Sequence, residues 1–190
     1  VYLILTAQLI VTTLCVLIAF LVEPVRIFQR RFSWIAIVTS VITIIVLYAL
    51  ACFRKLARSV PTNYILLTVL TLAESYTISF IASYYDPNTV LIAFLLTSAI
   101  VVALTLYAIF TRTDFTTCGG VLLVLGVGLA LGAIVGIFLR SKVYTMIIAV
   151  ISAILFGIYL VFDTQLVIGK NSRAYSIDDY IFAAVNLYMD

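Results

Sequence analysis

The chain has 190 residues, of which 65% are hydrophobic and 10% charged, with a mean hydropathy of +1.29. An ordinary soluble domain is about 45–50% apolar and about 25% charged, so a water-soluble core is excluded, and so is a disordered tail. The net charge of +3 comes from scattered residues with no basic cluster, which excludes a nucleic-acid-binding module and leaves a membrane protein. There is no histidine, so Ser-His-Asp catalysis and HExxH zinc chemistry are absent. Cys15, Cys52 and Cys118 lie far apart without a C-x-x-C spacing, and two fall inside apolar runs. They read as small buried hydrophobes, not as a disulfide framework or zinc site.

Residue 1 lies inside one apolar run and Asp190 follows another, IFAAVNLYM. The expectation is a single membrane domain over 1–190, a fragment lacking an N-terminal tail and most of its last helix. A spanning helix needs about 20 mostly apolar residues, and only helices or closed barrels satisfy the backbone in lipid. Six stretches qualify, near 1–22, 34–53, 64–84, 89–110, 121–139 and 144–169, and a seventh begins near Ile177 and is cut at Asp190. Continuous runs such as VLIAFLLTSAIVVALTLYAIF oppose a barrel, whose strands alternate over about ten residues. The predicted fold class is therefore all-α, a polytopic seven-helix bundle, with short links that make neighbours antiparallel.

The first link, EPVRIFQRRFS, mixes apolar and basic residues over Ile27–Phe32, which suits either the bilayer surface or a solvated loop. Trp34 at the start of the second span fits an interfacial aromatic belt. On the fifth span Gly126 is followed by Gly128, Gly132 and Gly136, the last three four apart, a spacing that puts them on one face for close helix packing. Charge bias does not fix orientation. Arg54, Lys55, Arg58, Arg112, Lys170 and Arg173 lie on one side, against Arg26, Arg30, Arg31, Arg140 and Lys142 on the other.

Ionisable groups inside spans are costly and usually face a polar interior or pathway. Glu74, Asp163 and Asp190 qualify. Helix rise places Glu74 about 18 Å, Asp163 about 15 Å and Asp190 about 20 Å from the same membrane face, within about one turn of a common level. The last depth assumes that Ser176-Ile177-Asp178-Asp179 acts as a capping box. Arg54 ends the second span on that face and can reach inward. A polar cluster of Arg54, Glu74, Asp163 and Asp190 is the prediction; in the alternative, each acid bonds a neighbouring Ser, Thr or Tyr. Two carboxylates meeting in low dielectric retain one proton between them, and their titration belongs to the pair. Arg54 would favour an ionised carboxylate, and the same oxygens suit Ca²⁺, which would then compete with H⁺.

Four stretches carry a family resemblance: Glu23-Pro24-Val25-Arg26; Pro61-Thr62-Asn63-Tyr64-Ile65-Leu66-Leu67 running into Leu72-Ala73-Glu74; Phe162-Asp163-Thr164-Gln165; and SIDDYIFAAVNLYMD from Ser176 to Asp190. Together they resemble the transmembrane Bax inhibitor motif proteins, in particular the lifeguard and Golgi anti-apoptotic branch. The resemblance implies a seven-helix bundle with the last helix central. It also implies a Ca²⁺ leak in a Golgi or endoplasmic reticulum membrane and suppression of cell death. Asp163 and Asp190 would be the pH-sensing pair and possible Ca²⁺ ligands, with Arg54 the latching arginine. No enzyme activity and no cofactor are expected, Ca²⁺ being the transported ion. The expected partners are the bilayer, Ca²⁺, H⁺ and membrane regulators of cell death, and no nucleic acid. Asp163 and Asp190 lack the YD and GxGD motifs of an intramembrane aspartyl protease, and the strongest alternative is a non-conducting regulator that acts by binding partners in the membrane.

Overall fold

The structure is a computed structural model that describes residues 1–169 and 175–190. The last link, with Lys170 and Arg173, lies mostly outside those residues. Nine helices are described: α1 (Tyr2–Leu21), α2 (Glu23–Arg31), α3 (Trp34–Cys52), α4 (Arg54–Arg58), α5 (Thr62–Ala82), α6 (Pro87–Phe110), α7 (Gly119–Leu139), α8 (Lys142–Ile168) and α9 (Tyr180–Met189). Tight 3₁₀ turns at Phe115–Cys118 and Ile177–Asp179 precede α7 and α9. There is no strand among the described residues. Six helices, α1, α3, α5, α6, α7 with its leading turn, and α8, are long and apolar enough to cross a membrane. The protein is an all-α polytopic membrane protein.

Local chemistry explains where the helices depart from the sequence expectation. The link after α1 is itself helical. Pro24 sits in the first turn of α2, Glu23 lies at its positive end and Arg30 and Arg31 at its negative end. Helix α8 starts two residues earlier than expected because the Ser141 side chain accepts the Tyr144 N–H. It ends at Gly169, whose φ of 74° suits the left-handed cap that glycine adopts without a Cβ penalty.

The chain forms two compact units. The first comprises residues 1–96 and Ser176–Met189. Its centre is α5, packed on α1 and α3, with α9 against α1 and α5. Val46, Leu50, Ala57, Leu67, Leu70, Ile181 and Val185 form its apolar core. Helix α9 is apolar on nearly every side, which is the composition of a buried helix, and Ile181 and Ala184 are wholly inaccessible.

The face of α5 toward α1 is polar. Thr71, Ser75, Ser79 and Ser83 recur every four residues and are all buried. Gln8 Nε2 donates to Thr71 Oγ1 at 3.0 Å, and Thr12 Oγ1 meets Ser75 Oγ at 3.0 Å and the Tyr188 hydroxyl at 2.7 Å. Ser79 donates to the Cys15 carbonyl and accepts from Gln29 Nε2 on α2. Arg30 closes the row, donating to the Ser83 carbonyl and stacking over Tyr84. Amphipathic α2 thus docks by its polar side and leaves Ile27, Phe28 and Phe32 exposed.

The second unit comprises Thr97–Tyr175 with Asp190. Helices α7 and α8 pair, but the glycine face differs from the expected one. A Cβ on Gly128 would meet nothing within 4 Å. The close approaches are at Gly126, against Tyr159, at Gly132, against Ile148 and Tyr144, and at Gly136, against Tyr144. Side chains fill these notches, and each tyrosine hydroxyl donates to a carbonyl of α7: Tyr144 to Gly132 and Tyr159 to Leu122. The cysteines are free thiols, but their burial departs from expectation: Cys52 is exposed, and Cys15 and Cys118 are half-buried. An apolar run in a membrane protein faces lipid as readily as core, so residence in such a run does not predict burial.

Candidate functional site

Asp163 lies on α8 five residues before its end at Ile168, about 8 Å by helix rise. Asp163 is 5% exposed. The Tyr175 hydroxyl donates to Asp163 Oδ1 at 3.0 Å. Asp190 follows α9, and its carboxyl comes within hydrogen-bonding reach of Asp163. Asp190 Oδ2 is buried with no donor facing it among the described residues. Two carboxyls in such contact attract only if one carries a proton, and that proton would supply the missing donor.

The motif around Asp163 also organises the neighbouring link. Gln165, buried on α8, accepts the Phe115 N–H at 2.8 Å through Oε1 and donates to the Thr113 carbonyl at 2.9 Å through Nε2. Phe162 fills the space beside Gly119. These clamp the turn that starts α7 onto the end of α8. Sequence reasoning named Gln165 as part of a motif without assigning this role. The available signal was an amide within an apolar span, which needs partners for both its atoms.

The other predicted residues fall in the first unit. Glu74 is half-buried on α5 and accepts from Thr43 Oγ1 of α3 at 3.1 Å, the hydroxyl partnership given above as the alternative. Arg54 opens α4, is exposed, and makes no ion pair among the described residues. The arginine that meets an acid is Arg58, one turn later: its Nε and one Nη donate to Asp179 Oδ1 and Oδ2 at 2.9 and 3.0 Å. Asp179 Oδ2 also accepts from the Ser176 hydroxyl at 2.6 Å and from the Ser176 N–H at 3.3 Å, so the acid of the expected capping box holds both its own cap and Arg58. The Arg58 guanidinium pulls the Asp179 carboxyl down to about 2, with Ser176 assisting and burial opposing. Helical spacing explains the choice of arginine. Arg58, at the last residue of α4, lies beside the turn before α9, whereas Arg54 lies at the opposite end.

Among the described residues no three acidic or thiol groups converge on a point that could hold a metal ion. The carboxyl pair alone gives too few oxygens for a resident Ca²⁺, which takes six to eight.

The family described as Inhibitor of apoptosis-promoting Bax1 matches residues 1–190. Similar proteins include Protein lifeguard 3 of Homo sapiens and of Mus musculus, each 34% identical over 194 residues and covering all of this chain. The chain spans 62% and 63% of those two proteins. The Golgi anti-apoptotic protein of Vaccinia virus (strain Lister) is 30% identical over 190 residues, covering all of this chain and 77% of its own length. No solved structure matches.

Proposed function

We propose, since this chain belongs to the family of inhibitors of apoptosis-promoting Bax1, that it is an anti-apoptotic regulator resident in a Golgi or endoplasmic reticulum membrane, where it leaks stored Ca²⁺ through a gate made by Asp163 and Asp190. The observation that supports the gate is the buried contact between these two carboxyls, which is cohesive with one proton and repulsive with none. Loss of the shared proton would drive the carboxylates apart and leave anionic oxygens that a passing Ca²⁺ can exchange against water. The Arg58–Asp179 bridge holds the turn from which α9 starts and so positions the helix that leads to Asp190.

The test is Ca²⁺ efflux from loaded proteoliposomes across a range of pH. The wild-type protein should show a pH-dependent leak, and Asp163→Asn should flatten that dependence, because an amide pairs with Asp190 without a titrating proton. A pH response intact in Asp163→Asn removes the pair as gate. Wild-type flux no greater than in protein-free liposomes favours a non-conducting regulator that acts through membrane partners. That second reading is supported by the viral relative, whose name states an anti-apoptotic action.

A further inference from the structure

We infer that the seam between α1 and α5 is a hydrated half-channel, holding a file of water from the α2 end as far as Thr71. The buried hydroxyls of α5 at 71, 75, 79 and 83 span twelve residues, about 18 Å of rise, which is more than half of a hydrocarbon core about 30 Å thick. A row of hydroxyls could be packing alone. The amides of Gln8 and Gln29 distinguish the two cases. Both side chains are 3% exposed, and each directs Nε2 at a seam hydroxyl while its Oε1 has no partner among the described residues.

Exchanging the amide atoms does not remove the problem. Thr71 already donates to the Leu67 carbonyl and Ser79 to the Cys15 carbonyl, so each hydroxyl can only accept from its glutamine, which fixes NH₂ toward it. Thr12 behaves alike: its one proton goes to the Gln8 carbonyl, so Ser75 and Tyr188 must donate to it. Each glutamine oxygen is therefore a buried acceptor that no hydroxyl of the seam fills. A buried amide oxygen without a donor is destabilising, and water is the small uncharged donor that would satisfy it. One end meets polar, Arg-bearing α2. Beyond Thr71 lie Leu67 and Leu70, buried in apolar core, which close the other end. Water and the protons it carries thus reach Thr12 and Tyr188 on α9 from one side of the membrane only. This goes beyond the carboxyl gate and stands or falls without it.

The test is deuterium exchange at thiols placed in the seam of the full chain in liposomes, read from conversion of the S–H stretching band to S–D after subtraction of the wild-type signal. Ser75→Cys and Ser79→Cys are nearly isosteric and sit at 0% and 1% exposure, while Ala184→Cys, in apolar core at 0%, is the reference. Both seam thiols should exchange at least about tenfold faster than the reference, whose exchange waits on local opening. Seam thiols as slow as Ala184→Cys would overturn the inference. Retained helicity in both variants, read by circular dichroism, ensures that fast exchange reports the seam and not an unfolded helix.

Discussion

At Asp179 one carboxylate serves two tasks: it caps the turn leading into α9 and it binds Arg58 through both oxygens. Its folded-state value of about 2, below the ordinary 3.8, means that the folded protein favours the ionised form. That stabilisation is complete above about 3.8 and is lost as pH falls through about 2. Melting temperature in detergent should therefore fall more steeply across that interval for wild type than for Asp179→Asn, and the two curves should converge at its acid end. Arg58→Ala and Asp179→Asn should be non-additive in a double-mutant cycle, whereas Arg54→Ala paired with Asp179→Asn should add. Gln165 offers a second test. Gln165→Leu strips the Phe115 N–H and the Thr113 carbonyl of their partner, with an expected cost of about 1–3 kcal/mol in detergent unfolding.

Helices α7 and α8 show how spacing can suggest a packing mode and miss its register. Gly128, Gly132 and Gly136 repeat at four residues, yet Tyr159 and Tyr144 select Gly126, Gly132 and Gly136, because a tyrosine reaching a backbone carbonyl needs the adjacent Cβ to be missing. A Cβ on Gly126 would lie 2.7 Å from the Tyr159 hydroxyl, which is itself held at 2.6 Å from the Leu122 carbonyl. Gly126→Ala should cost about 1–3 kcal/mol by overpacking. Adding Tyr159→Phe should recover part of that loss, a coupling that unfolding of the four proteins of the cycle would read. Gly128→Ala, with nothing within 4 Å, should be nearly neutral.

Across the whole molecule the usual distribution of residues is inverted: exposed Leu, Ile, Val and Phe cover the long helices, while Gln8, Asn63, Thr71, Ser75 and Ser79 are buried. Lipid tails are as apolar as leucine, so burying an aliphatic side chain gains little over leaving it in the bilayer, and polar groups are drawn inward to find partners. What a core aliphatic does supply is close packing, so Ile181→Ala, which leaves a cavity, should cost about 2–5 kcal/mol, and Ile137→Ala, at 70% exposure, almost nothing, as reversible unfolding in micelles would show. The all-α membrane architecture and the position of nearly every long helix followed from the sequence, because a span must satisfy its own backbone within about 20 apolar residues and its signal is local. The cap at Ser176–Asp179 was legible for the same reason. The partners of single side chains were not. Whether Glu74 bonds Thr43, whether Arg54 or Arg58 meets an acid, and which glycines receive tyrosines all depend on rotation about helix axes. An apolar surface all round the helix leaves no periodicity to fix that rotation, so only packing between helices decides it.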